Sequence, residues 1–433
     1  MPPLPETGVS LLVLPALTIS SPPSSWRSAY KTTLDTLLPH LITKEISKDG
    51  PPARLDIAVV LSESYPPTPS TPRSSIFSPF QQLLSSSYSL VVSSAAKLDI
   101  DLDFPGGLDV RVLLLEPRLS SLPSGVSGKQ SLSGPIVDIP TFVKSSRPYT
   151  ALYSVDGEAG ERCLKKLITA YNSTNISPPS TKRLPSGPAF TTSSSTSNPS
   201  EEIIDDRPLK THTSVAVGGT FDHLHIGHKL LLTGTILAAE PGTTSSRLIT
   251  VGITGDELLV NKKYGNVVES WDVRQQRTAE FVESILAFHP NIPSIKKIQH
   301  IDQPGPNGQV VRVTYATTSS TSDSSNPTDE ITINYTKISD PYGPTIADEN
   351  ISALVISAET RAGGKAVNDK RDEKGWKPLE VFEIDILDAG VVDDDDGENT
   401  SQGSGTKEEK KGFESKISST EIRRRVAEKL KPQ

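Results

Sequence analysis

The stretch from Val215 to His228 constrains the fold more than any other part of the chain. It reads Val-Ala-Val-Gly-Gly-Thr-Phe-Asp-His-Leu-His-Ile-Gly-His. An aliphatic run, Ser214 to Val217, suits a buried strand and ends in Gly218 and Gly219, where backbone can approach a ligand with no Cβ in the way. A turn follows, and then Leu230, Leu231, Ile236 and Leu237 suit a helix. That helix is expected to begin between His225 and His228, so its free N–H groups and positive dipole end form an anion site. His225 and His228 are three apart and share one helix face. Alone, the two histidines also fit surface positions or a metal site, although two ligands do not complete one.

Around this segment the chain alternates strands and helices. Ser214 to Val217, Leu248 to Ile253, Ile331 to Ile338, Ala353 to Ser357 and Leu379 to Ile386 read as strands, most followed by helical patterns. That order predicts an α/β fold, a Rossmann-like parallel sheet with crossover helices, over residues 212–433. Ser/Thr-rich and acidic inserts near 316–330 and 393–411 are expected to be disordered loops. The preceding residues 172–211 are dominated by Ser, Thr, Pro and charge and read as a flexible linker. Residues 1–171 form a smaller α/β region, with strands at Val9 to Leu14, Leu55 to Leu61 and Val110 to Leu115. A helix carrying Trp26, Tyr30, Leu34 and Leu38 is expected to bend or end at Pro39. Cys163 lies on the apolar face of another helix and reads as a core residue. No catalytic constellation is visible in this region.

The formal charge of -8 argues against a nucleic-acid or membrane-surface binder, which needs clustered Lys and Arg. It leaves room for a small anionic substrate held by a local positive site. The single cysteine excludes a disulfide framework within the chain, and no Cys-rich metal site is expected. Leu11 to Ile19 is too short for a membrane span and lacks a preceding basic residue. The expectation is a soluble, cytoplasmic protein.

A second helix start lies near the C-terminus, at Lys416-Ile-Ser-Ser-Thr-Glu-Ile-Arg423. Ser418 or Ser419 is placed to cap a helix with Ile422, Val426 and Leu430 on one face. Taken together, the glycine-ended strand, the His-x-Gly-His helix start and this Ile-Ser-Ser-Thr-x-x-Arg string closely resemble the two signatures of the nucleotidylyltransferase superfamily. Three further segments look like the eukaryotic and archaeal type of phosphopantetheine adenylyltransferase. They are Gly255 to Lys262, Asp340 to Pro344 and Val355 to Asn368, and they occur in the family's order. The resemblance covers roughly residues 212 to 430 apart from the inserts.

The resemblance implies adenylyl transfer from ATP to 4′-phosphopantetheine, giving dephospho-coenzyme A and pyrophosphate, with Mg²⁺ accompanying ATP through its phosphate oxygens. It implies His228 as the main stabiliser at the α-phosphate, with His225 assisting at the triphosphate. Gly218, Gly219, Thr220 and Phe221 would hold the reacting phosphates. Lys262, with Arg274 as a weaker candidate, would meet the attacking phosphate. Ser418, Ser419, Thr420 and Arg423 would hold the departing pyrophosphate. No protein metal cage is implied.

The chain departs from the bifunctional animal enzyme in two respects. It has no Gly-x-x-x-x-Gly-Lys-Ser/Thr loop, so the final kinase step is expected to belong to another protein. The animal signature also differs where His223 stands, and His223 is given no role. Competing readings are a sister enzyme, such as a nicotinamide mononucleotide adenylyltransferase or a cytidylyltransferase, and a catalytically inactive nucleotide-binding regulatory subunit. For the N-terminal region two readings stand: an interaction domain docking other coenzyme A enzymes, or a fold-stabilising extension.

Overall fold

The computed structural model describes residues 8–17, 21–45, 50–63, 71–117, 132–188, 210–241, 246–302, 308–317, 329–387 and 419–429. They build two α/β layers. The first sheet has six strands: β1 (Val9–Pro15), β2 (Ala53–Val60), β3 (Leu108–Glu116), β4 (Ile136–Asp138), β5 (Tyr149–Val155) and β6 (Ser180–Leu184). Their order is β4-β3-β2-β1-β5-β6, and every pair is parallel. Its helices are α1 (Pro23–Glu45), α2 (Arg73–Lys97), α3 (Ile139–Lys144) and α4 (Glu158–Ser173). β1 and β2 are buried along most of their length, as crossover helices on a parallel sheet require.

The second sheet has seven strands: β7 (Ser214–Gly219), β8 (Arg247–Thr254), β9 (Lys296–Ile301), β10 (Val310–Thr317), β11 (Asp329–Ile338), β12 (Ala353–Ser357) and β13 (Glu380–Ile384). The order is β13-β12-β7-β8-β11-β10-β9. Five strands are parallel, while β10 runs antiparallel to both β9 and β11. The expected parallel sheet therefore carries an antiparallel edge, because β9, β10 and β11 follow one another without crossover helices. Its helices are α5 (Ile226–Ala238), α6 (Trp271–Leu286), α7 (Ile292–Ile295), α8 (Arg361–Glu373) and α9 (Ser419–Lys429). β7 is flanked by β8 and β12, so the chain reverses its direction of growth beside β7. Crevices at such reversals, beyond the carboxyl ends of the strands, are where open α/β sheets hold ligands.

The structure corrects several expectations. Pro39 lies inside α1 and does not end it. The helix is held beyond its own hydrogen bonds by the buried Trp26, Tyr30, Leu34 and Leu38. Part of the 172–211 stretch is ordered: β6 pairs with β5 through backbone, with only Leu184 buried, so no apolar period announced it. Residues 189–209 of that stretch, 318–328 of the first insert and all of 393–411 lie outside the described residues. α2 has a serine-rich sequence without a helical reading of its own, yet most of its residues are buried. Cys163 is buried as expected, and burial pushes its thiol up to about 11.

One continuous apolar core runs through both sheets. α2 packs on α5, and the Phe77 ring meets Phe382 at 4.6 Å. Polar ties reinforce the seam. Arg147 donates to Ser284 O at 2.6 Å, and Arg111 to Ser284 Oγ at 2.8 Å. Among the described residues no helix is long and apolar enough to cross a membrane.

Candidate active site

β7 ends in Gly218 and Gly219 at the point where the sheet reverses. A Cβ built on Gly218 would meet nothing within 4 Å, so this backbone faces open space. At Gly219 a Cβ would come within 3.0 Å of the Phe221 ring. Phe221 takes a φ of 50° and His223 a φ of 45°, which folds the chain back sharply before α5. The buried Asp222 holds this turn, accepting from Glu269 N at 3.0 Å. Glu269 in turn accepts from His223 N at 3.0 Å and pairs with Arg277. The His223 ring sits 2.9 Å from Val267 O, so it belongs to the turn.

His225 is the residue before α5, and its side chain caps no backbone N–H. No acidic residue stands in the first turn, so the positive helix end is not neutralised locally. The His225 and His228 rings stack with centroids 3.8 Å apart and planes 25° from parallel. The Phe221 ring lies 5.3 Å from His228. Burial, then the charge of His228, depresses the His225 imidazole well below its ordinary range. Burial brings His228 down to about 3, with His223 adding to the effect. Both rings are therefore neutral near pH 7, and among the described residues both Nδ1 atoms are buried without a hydrogen-bond partner.

The second helix start meets the first. His225 Nε2 lies 3.0 Å from Ser419 Oγ at the beginning of α9. Arg423 is buried and turns back along its own helix, donating to Ser419 O at 3.2 Å and Thr420 Oγ1 at 3.1 Å. Its Nε is 3.6 Å from Asp222 Oδ2, tying α9 to the turn after β7. Ser418 lies outside the described residues.

Thr220 contributes its carbonyl, which accepts from Arg274 Nη1 at 2.6 Å. Arg274 is turned into the protein. Its guanidinium is fully buried and also donates to Glu269 O, Thr254 O and Asp256 Oδ1, at 2.6 to 2.9 Å. The weaker phosphate assignment of Arg274 is therefore corrected: it staples the turns after β7 and β8 together. An exposed cation and a buried one on a helix look alike in sequence, and only tertiary contacts separate them. Lys262 lies on the exposed loop after β8, and no hydrogen bond or ion pair joins it to the other candidates among the described residues.

The remaining family-like segments also end parallel strands. Gly255 to Lys262 follows β8, Asp340 to Pro344 follows β11, and Val355 to Asn368 runs from β12 into α8. Parallel strands place these segments at the same sheet edge as Gly219. Asp340 Oδ1 accepts from Tyr342 N and Gly343 N at 2.7 and 2.8 Å, closing a tight turn. Asn368 exchanges hydrogen bonds with the backbone of Leu379 and so is structural.

The carboxylates that hold the turn after β7 do not fit a divalent cation. Asp222 and Glu269 are held by backbone N–H groups and guanidiniums. Among the described residues no group of three or more His, Cys, Asp or Glu side chains is arranged to hold a metal ion.

Residues 1–190 match the family model described as Domain of unknown function (DUF8446). The chain is similar to the phosphopantetheine adenylyltransferase of Saccharomyces cerevisiae, with 32% identity over 54% of this chain and 54% of that one. It is also 32% identical, over 40% of this chain, to an uncharacterized protein of Schizosaccharomyces pombe, of which it covers 39%. The phosphopantetheine adenylyltransferase of Pyrococcus horikoshii is 28% identical over 41% of this chain and 82% of that one. The chain thus spans about half or less of the length of the yeast relatives it matches. The crystal structure of a protein with unknown function from Archaeoglobus fulgidus shares 23% identity, covering 40% of this chain and 98% of that one, at a TM-score of 0.24, too low to bear on the fold.

Proposed function

We propose that the protein transfers the adenylyl group of ATP to 4′-phosphopantetheine, releasing pyrophosphate and forming dephospho-coenzyme A. The observation that carries this reading is the meeting of two helix starts, α5 and α9, through the His225–Ser419 contact beside the open backbone of Gly218. Two helix N-termini at one sheet edge, that of α5 with no acidic residue in its first turn and that of α9 with its Glu421 paired to Arg424, suit a polyphosphate better than any uncharged ligand. The names of the yeast and archaeal relatives point to the same substrate pair.

In this reaction a phosphate oxygen of phosphopantetheine attacks the α-phosphorus of ATP. The bond from that phosphorus to the bridging oxygen breaks, and pyrophosphate leaves with the electron pair. The attacking phosphate is already an oxyanion near neutral pH, so no side chain must remove a proton. The protein's contribution is position and charge stabilisation. Burial keeps His228 and His225 neutral near pH 7, and an arriving triphosphate favours their protonated forms. Nucleotide binding thereby places positive charge against the phosphoryl group. Ser419 and the N–H groups opening α9 receive the leaving pyrophosphate. Asp222 and Glu269 hold the turn, so any Mg²⁺ enters on the nucleotide, and no step depends on a protein-held metal.

The test is pyrophosphate release by the purified protein with Mg²⁺-ATP and 4′-phosphopantetheine. Nicotinamide mononucleotide with ATP, and CTP with a phosphorylated alcohol, run alongside. Release with phosphopantetheine alone is expected. Release only with another pair would overturn the substrate, and binding of ATP without release from any pair would overturn catalysis.

A further inference from the structure

The region matching the domain of unknown function reaches the site directly. After α2 ends, the chain makes a tight loop from Asp99 to Phe104 before β3. Ile100 N donates to Ala95 O, Asp103 N to Leu108 O, and Leu108 N to Asp101 O, each at 2.9 Å. The loop is therefore pinned to both neighbouring elements of the first sheet. From it, side chains contact both helix starts of the second sheet. Lys229, the residue after His228, is buried and its ammonium bridges Asp103 and Asp109, the latter at 2.5 Å. Arg425 of α9 donates to Asp101 Oδ1 at 2.5 Å, with its guanidinium 6.0 Å from the Phe104 ring. Ile100, Leu102 and Phe104 line a small cavity together with His225 and Ile422, and Ile422 is a buried residue of α9.

We propose that this loop is a bracket that sets α9 against α5, and that Asp101, acting through Arg425, is a positioning residue for the helix start bearing Ser419 and Arg423. The inference rests on the nucleotide-binding reading of those two helix starts. The first sheet is then neither a remote docking module nor a passive extension. It decides whether the two halves of the phosphate site stand at the right separation. The Asp101–Arg425 pair is half-exposed, with side-chain exposures of 47% and 26%, so the direct energy of the pair is modest and its geometry carries the effect.

The experiment measures ATP affinity and α9 amide hydrogen exchange in the full chain for wild type, Asp101→Arg, Asp101→Glu and the swap Asp101→Arg with Arg425→Asp. Asp101→Arg is expected to weaken ATP binding about fivefold, raise KM for ATP more than it lowers kcat, and speed exchange in α9. Asp101→Glu is expected to keep affinity within about twofold of wild type, and the swap to recover part of the loss, since opposite charges again face each other across the pair while the new carboxylate at position 425 gives up the contact with Glu421. The exposed Arg162–Glu158 pair, removed by Glu158→Gln, serves as the unaffected control. ATP affinity unchanged in Asp101→Arg would overturn the positioning role, and so would faster α9 exchange with unchanged affinity. A wild-type chain that binds no ATP would overturn the functional reading, and this inference with it.

Discussion

The chain contains two α/β sheets of similar size, one wholly parallel and one with an antiparallel edge, and the candidate site lies on the second. In the first sheet, β5 leads through Gly157, at φ 101°, into α4, whose first turn holds Glu158 and Glu161. Two carboxylates at the positive end of a helix neutralise it and repel an anion. In the second sheet β7 leads through Gly218 and Gly219 into α5, whose first turn has no acid and whose flanking histidines are neutral and unpartnered at Nδ1. Asp56, a buried charge of the first sheet, is also matched. Asp56 accepts from Arg54 and Tyr149, and the Arg54, Arg111 and Arg147 guanidiniums hold its carboxyl below the usual range in spite of burial. Under the proposed function, the same architecture serves as a support in one place and an anion cradle in the other. The difference lies in a handful of turn residues and not in the fold.

The sharpest way to break this contrast is His228→Ala. Turnover is expected to fall about 100-fold or more, by comparison with loss of one oxyanion donor, and the pyrophosphate assay checks it. Wild-type turnover in a folded variant would remove the histidine pair from the mechanism. Arg274→Gln tests the staple that shapes the cradle. It would orphan the Thr220 and Thr254 carbonyls and cost about 3 kcal/mol of stability, read from the denaturant midpoint. Lys262→Ala is expected to raise KM for phosphopantetheine about tenfold while leaving ATP nearly unchanged, as for loss of one charge-assisted contact. An effect confined to ATP would place Lys262 on the wrong substrate.

A smaller effect concerns pH. The folded imidazoles titrate below their ordinary value of 6.5, with His228 at about 3, so the unfolded chain binds more protons between these limits. Stability is then fully present above about pH 6.5 and declines as pH falls toward 3. His228→Gln should flatten that decline in a series of thermal melts, and ATP binding should take up protons, measurable by calorimetry in buffers of different ionisation heat. The smallest expected effect is that of Glu158→Gln with Glu161→Gln in α4, which should leave ATP affinity unaltered. A new ATP site there would show that acidity alone separates the two sheets.

Local sequence carried what is local in physics. β1, β2, β3, β7, β8, β11, β12 and β13 were each readable from a compact aliphatic run, and α5 from the glycines and histidines before it, because burial of one run and the opening of one helix depend on neighbours in sequence. The same holds for the convergence of the family-like segments, since parallel strands must bring their carboxyl ends to one edge. Other features depend on partners far along the chain. α2 is a buried helix because α1, α5 and β13 surround its serines, β6 is a strand because β5 offers it backbone, and Arg274 is a staple because four acceptors converge on it. The contact of the Asp99–Phe104 loop with both helix starts belongs to this second group. Asp101 and Arg425 are separated by 324 residues in sequence, and only the shared core of the two sheets brings them within hydrogen-bond distance.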